Sequence, residues 1–254
     1  MYPTRPAVLV PTFIGAWVGE DDRLPLQQHA FADPRAKEAT DLMVRVLRAK
    51  AAFEAPLIDE NNPLLVSPAV FPYFYALVGE RNPNLAPRAS ARSGYSQLAC
   101  DAFALIRKRG PISKQKLGEL LGGGLSAAGS DRALGELWGK LRIIRVDYSH
   151  DEGSVWDELT RWAPDKVWKG AGASVGEALS ALLSKYVDCV IAAEQEEVEH
   201  FFSSFVARSK VKEAVKTLLA ARELSYVHSG NKSLLQVAPR KEVFVLRPQT
   251  MRVQ

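Results

Sequence analysis

The 254-residue chain is poor in the residues that metal, redox and membrane chemistry require. It has two cysteines, Cys100 and Cys189, and no Cys-x-x-Cys spacing, so neither a disulfide framework nor a zinc knuckle is expected. Both cysteines sit in apolar helical runs and read as small buried residues in a reducing compartment. The four histidines, His29, His150, His200 and His228, are scattered without ligand spacing, and no metal or cofactor is expected. No apolar stretch approaches the roughly 18–20 residues that cross a bilayer. Nor does a signal-peptide core follow the N-terminal charge, which gives an expectation of a cytoplasmic protein. Neither sign of charge dominates: 33 basic against 29 acidic residues leave a net charge of +4. Such a mild bias suits a polyanion partner without selecting one, so local placement must decide. With 47% hydrophobic and 24% charged residues the composition is globular.

What the chain does have is an internal repeat. Residues 105–146 and 186–227 align without a gap, 81 positions apart. Leu117, Leu120 and Leu121 fall on Val198, Phe201 and Phe202, while Ala133, Leu137 and Trp138 fall on Ala214, Leu218 and Leu219. Strands Ile143–Val146 and Leu224–Val227 coincide, each running into a turn and a second strand, Val155–Leu159 or Ser233–Val237. Three helices feeding a two-stranded ribbon describe a winged helix, and a repeat reports architecture better than any single motif. The expected fold is therefore mainly α with small β-hairpins (α+β), in tandem winged-helix domains at 96–168 and 177–239.

Around these units the signals are weaker. Residues 1–90 read as a degraded first unit, with a helix from Asp33-Pro34 to about Lys50 and strands Ala52–Ile58 and Leu64–Val66. A short aromatic helix, Val70–Val78, follows. Residues 80–95, with two prolines and three arginines, read as a linker, Gly170–Gly176 as a glycine spacer, and 240–254 as a tail. Within the repeats, Ser113, Ser130 and Ser209 are the expected caps of the second helix and of the two third helices.

The third helix of a winged helix enters the major groove, so its exposed face decides the partner. In the second copy Val211, Val215, Leu218 and Leu219 must face the core, which leaves Lys212 and Lys216 outward, with Arg208 and Lys210 at the helix entrance. In the first copy Arg132 and Lys140 share an exposed face with Gly135, Glu136 and Gly139, and Arg142 and Arg145 lie on the following ribbon. These eight basic residues are the candidate contacts to double-stranded DNA. The acidic run Glu194–Glu199 would repel phosphate and is expected to face away from it. Trp138, Trp156, Trp162 and Trp168 are expected mainly as packing residues, and Phe71–Tyr75 as a helix able to offer a ring to an unpaired base.

Several stretches together resemble the winged-helix family of alkylpurine and crosslink-repair DNA glycosylases. They are 47–53 (Leu-Arg-Ala-Lys-Ala-Ala-Phe), 66–77 from Val66-Ser67-Pro68 to Ala76-Leu77, 106–113 (Ile-Arg-Lys-Arg-Gly-Pro-Ile-Ser) and Asp131-Arg132-Ala133-Leu134. The resemblance implies tandem winged helices forming a concave basic surface. It also implies, in active members, a Gln-x-Gln or Gln-x-Asp pair that positions water for cleavage of the glycosidic bond. This sequence contains neither pattern, and the nearest candidates are Gln27 and Gln28, followed by His29. The leading expectation is a non-catalytic duplex-binding protein gripping phosphates. The alternatives are a glycosylase excising alkylated or crosslinked bases, and a protein-interaction scaffold whose glycine-containing helix meets a partner.

Overall fold

The computed structural model describes residues 34–57, 63–122, 127–149 and 151–238 of the chain. The expected Asp33 cap and the Gln27–Gln28 pair lie outside these residues. Helix α1 (Pro34–Arg48) leads into a short hairpin, β1 (Phe53–Ala55) and β2 (Leu64–Val66), and then α2 (Phe71–Val78). The first repeat follows as α3 (Gln97–Arg109), β3 (Ile112–Ser113), α4 (Lys114–Leu120), α5 (Ala127–Trp138), β4 (Ile143–Ser149) and β5 (Gly153–Glu158). Two short helices, α6 (Leu159–Trp162) and α7 (Pro164–Gly172), connect it to the second repeat. That repeat has α8 (Val175–Val190), β6 (Ala193–Glu194), α9 (Gln195–Phe202), α10 (Arg208–Ala220), β7 (Leu224–Ser229) and β8 (Lys232–Val237).

The fold is mixed helix and small antiparallel sheet, and the repeat is topological as well as sequential. The two three-stranded sheets have the same order, β3-β5-β4 and β6-β8-β7. Register agrees too: Ile112 and Arg145 both pair with Trp156, as Ala193 and Tyr226 both pair with Leu235.

The turn from third helix to ribbon is the most exact shared detail, and the N-terminal unit has it as well. Lys50, Leu141 and Arg222 each take positive φ, at 54°, 53° and 59°. Each donates its N–H to the carbonyl three residues back, on Leu47, Trp138 or Leu219, and the next residue donates to the carbonyl five back, all at 2.9–3.1 Å. This is the paired bonding of a Schellman motif, which satisfies carbonyls that a helix end otherwise leaves open. Helix α1, its connector and the β1–β2 hairpin thus match the second half of each repeat.

Two large cores and a small alanine cluster, Ala76 with Ala173 and Ala178, hold the described residues together. The first repeat closes on Phe103, Ile106, Leu117, Leu137, Ile143 and Trp156. A larger core joins Phe53 and Phe71 of the N-terminal unit to Ile144 of β4 and to Leu183, Phe202 and Val215 of the second repeat. Each such side chain, removed from water, contributes about 1.5–3 kcal/mol.

Several expectations are corrected by this packing. Gly170 is not in a loose spacer but inside α7, buried against α2; a Cβ there would lie 2.5 Å from the Pro72 carbonyl and 2.8 Å from Tyr75 Cβ. Its missing side chain is what lets the two helices approach. Ser174 and not Gly176 ends the connection, capping α8 through the Glu177 N–H. Ser130 lies one turn inside α5, and Ser209 lies inside α10, whose N-cap is Ala207 with no side-chain bond. Ser113 does cap α4, accepting from Lys116 N at 3.3 Å. The aromatic helix α2 offers no base platform, because Phe71, Phe74 and Tyr75 are buried in the larger core. Burial pushes the Tyr75 hydroxyl up to about 12. Cys189 is exposed and Cys100 half-buried, so neither is the fully buried residue its apolar neighbours suggested.

Candidate nucleic-acid interface

The exposed face and entrance of α10 carry four basic residues within nine positions, Arg208 to Lys216. Val211, Ala214, Val215 and Leu218 point into the core, so the helical period puts Lys210, Lys212, Glu213 and Lys216 outside. Lys210 and Lys216 have no ion-pair partner among the described residues. Arg208 and Lys212 do have one. Arg208 Nε donates to Glu199 Oε2 at 2.9 Å, its Nη2 lies 3.6 Å from Glu196, and Lys212 Nζ lies 3.8 Å from the same Glu199 oxygen. The Lys212 side chain nevertheless stays 58% exposed.

Glu199 is the organising group that the sequence reading misplaced. The acidic run does not turn wholly away from the lysines: Glu199 is buried one turn into α9, facing the start of α10. Burial works against its ionisation. Hydrogen bonds from Gln195 and Arg208, with the Lys212 charge, outweigh that and hold its carboxyl below the usual range. Gln195 Nε2 donates to Glu199 Oε1 at 2.8 Å, and the Tyr226 hydroxyl donates to Gln195 Oε1. Residues Gln195, Glu199, Lys212, Lys216, Leu219 and Tyr226 line an open recess of about 340 Å³ between α9, α10 and β7.

The matching helix of the first repeat is closed on both flanks by the chain itself. On one side the segment before α3 straps it. Lys140 Nζ donates to the Ser93 carbonyl and lies 4.1 Å from the Tyr95 ring centroid, and Glu136 accepts from Ser96 N at 2.7 Å. Gly135, expected on the outer face, is buried. On the other side β1 docks: Trp138 Nε1 donates to the Glu54 carbonyl at 3.2 Å, and Arg145 pairs with the Glu54 carboxylate at 3.0 Å. Arg145 is held between Trp138 and Trp156, at 4.9 and 5.2 Å from their centroids.

Arg142 is 3% exposed, bonded to Glu80 at 3.3 Å and to the Leu85 carbonyl at 2.5 Å. Arg142 and Arg145 are therefore internal ties, not surface contacts. They lie just before and just after the start of β4, where residues 80–85 and β1 meet the ribbon. Arg132 remains 83% exposed, beside Glu136 at 3.4 Å. Of the eight basic candidates, the structure gathers Arg208, Lys210, Lys212 and Lys216 on one open helix and leaves Arg132 alone on the other.

Among the described residues no group of three or more histidine, cysteine or acidic side chains could hold a metal ion, and no helix is long and apolar enough to cross a membrane. Sequence reasoning missed Gln195 and Tyr226, which are uncharged, and Glu54, a single carboxylate with no motif spacing to mark it in one dimension. Comparing the repeats would have flagged Glu199, which stands where the first copy has Gly118.

The described residues thus present a repeated helical unit with one open, lysine-rich helix face. The family comparison makes this specific. The model of the DNA glycosylase AlkZ-like family matches residues 29–252, nearly the whole chain, and the chain belongs to that family. No curated protein and no solved structure gives a significant match.

Proposed function

We propose that the chain is a DNA glycosylase that excises damaged bases, acts in the cytoplasm, and holds duplex DNA through the second of two winged helices. Family membership over residues 29–252 carries the reading of the chemistry. Units at 1–90, 96–168 and 177–239, the last followed by a tail to 254, account for the element order and for the thrice-used helix-to-ribbon turn. The open face of α10 supports phosphate contact by Lys210, Lys212 and Lys216, with Arg208 anchoring the helix entrance through Glu199. Arg132 adds a lesser contact from the first repeat. The candidates for water activation are Gln27 and Gln28, which lie just before the matched region.

Release of free base from alkylated or crosslinked duplex tests this directly. Release that disappears in Gln28→Ala, with duplex affinity kept, supports it. A second reading, duplex binding without catalysis, is favoured by one observation: neither Gln-x-Gln nor Gln-x-Asp occurs in the chain. Binding with no base release across alkylated and crosslinked substrates would leave that reading in place. The scaffold reading finds less support: this chain's own residues 93–96 bond to Glu136 and Lys140 and Gly135 is buried, with Gly139 left exposed.

A further inference from the structure

The recess beside α10 has a counterpart in the first repeat, where Glu54 occupies one end and Lys114 pairs with Asp131 at 2.5 Å at the other. Moving each lining residue back 81 positions gives Lys114, Gly118, Asp131, Gly135, Trp138 and Arg145 for Gln195, Glu199, Lys212, Lys216, Leu219 and Tyr226. On that first-repeat face Glu54 of β1 is docked, its carbonyl on Trp138 and its carboxylate on Arg145. The same architectural socket thus holds a piece of the chain in one copy and, among the described residues, stands open in the other. The exchange of residues changes what fits. An acidic residue at 131 becomes a lysine at 212, a glycine at 135 becomes a lysine at 216, and the arginine that held Glu54 becomes Tyr226, a ring 47% exposed.

We infer that this recess is a subsite for an unpaired nucleotide of the bound DNA, its base against Tyr226 and its phosphates on Lys212 and Lys216. The inference rests on the DNA reading above and adds to it a strand feature. Phosphates alone would need only the lysines; the aromatic wall, the apolar Leu219 and the fixed carboxamide have no use in a purely ionic contact. An unpaired base supplies a π-face for the tyrosine ring and an edge for the amide. Gln195 is held in one orientation, its oxygen accepting from Tyr226 and its nitrogen donating to Glu199. A carboxamide so placed keeps one N–H and one lone pair free, a donor and acceptor side by side for a base edge. The volume, about 340 Å³, lies at the lower end of the roughly 300–1,000 Å³ typical of small-ligand sites. Arg208, bonded to the Glu199 carboxylate at 2.9 Å, offsets its charge, and Lys212, farther off at 3.8 Å, is left to turn toward a phosphate.

The experiment measures affinity, by fluorescence anisotropy at one salt concentration, for a perfect duplex and for the same duplex carrying a single-nucleotide bulge. The full chain should bind the bulged duplex about tenfold more tightly, the order expected for one base stacked on one aromatic ring. Tyr226→Ala should abolish that preference and leave affinity for the perfect duplex within about twofold. Tyr226 is exposed, and circular dichroism of the variant checks that the fold is kept. Lys210→Ala, outside the recess, should weaken both complexes equally. Equal affinity of the unaltered chain for the two duplexes, or a preference that survives Tyr226→Ala, would overturn the subsite while leaving duplex binding intact. Failure to bind either duplex would overturn both readings.

Discussion

Arg145 and Glu54 form an ion pair between the first ribbon and β1, with one guanidinium nitrogen 3.0 Å from both carboxylate oxygens. Burial drives the Glu54 carboxyl up and Arg145 opposes it. The pair joins the N-terminal unit to the first repeat, and the two residues should respond differently to substitution. Arg145→Ala strands a buried carboxylate and is expected to cost about 3–5 kcal/mol at neutral pH. A carboxyl with a raised folded-state pKa adds stability at low pH and loses it as pH rises through that value. Part of the loss should therefore return on acidification. Urea midpoints of the variant at two pH values check this, and an equal deficit at both would contradict it.

Charge reversal on α10 should act on binding without unfolding the protein. Lys210→Glu and Lys216→Glu are expected to weaken duplex affinity and flatten its dependence on salt by about 0.9 in log–log slope per lost phosphate contact. Lys140→Ala, which removes the tie to Ser93, should lower thermal stability and leave the salt slope unchanged. Titrations at two or more salt concentrations separate the two effects.

Gly170→Ala introduces a methyl group into the contact between α7 and α2, where backbone stands 2.5 Å away. Overpacking of this kind costs about 1–3 kcal/mol. A fall in Tm is expected, whereas Gly172→Ala, with open space around its Cβ position, should lack that penalty.

Arg222→Gly should stabilise the chain. Arg222 is exposed and holds φ at 59°, a region costing a residue with a side chain about 1–2 kcal/mol. Glycine takes this conformation freely, although its greater freedom in the unfolded chain offsets part of the gain. An unchanged or lower Tm would count against the Schellman reading of this turn.

The Glu199 network gives a pH prediction of opposite sign to that of Glu54. Its folded-state pKa is lowered, so its contribution is present above the unfolded value, about 4.3, and is lost as pH falls below it. Glu199→Gln should remove that part of the acid sensitivity, measured as the difference in Tm between pH 6 and pH 3.5.

The repeat made most of the architecture legible from sequence, because hydrophobic period and turn residues recur together at one offset. Helix α3 begins and ends where its Ser96 cap and Gly110 place it. Helix starts were misread at Ser130 and Ser209, the fourth and second residues of their helices, where a serine mimics a cap and nothing local distinguishes the two. Arg142 and Arg145 were misread for a deeper reason. A basic residue on a ribbon is identical in one dimension whether it faces solvent or a carboxylate some 60 to 90 positions away, and only the docking of Glu80 and Glu54 decides. Gly170 failed in the same way: a glycine that permits close packing and one that breaks a helix share a letter.

Closure of α5 on both flanks leaves the proposed complex standing on a single foot. One groove-reading module covers about 600–1,000 Å², too little for long residence at any one address. Contact of that size favours brief visits along a polymer, with dwell time set by whatever local irregularity the free foot encounters.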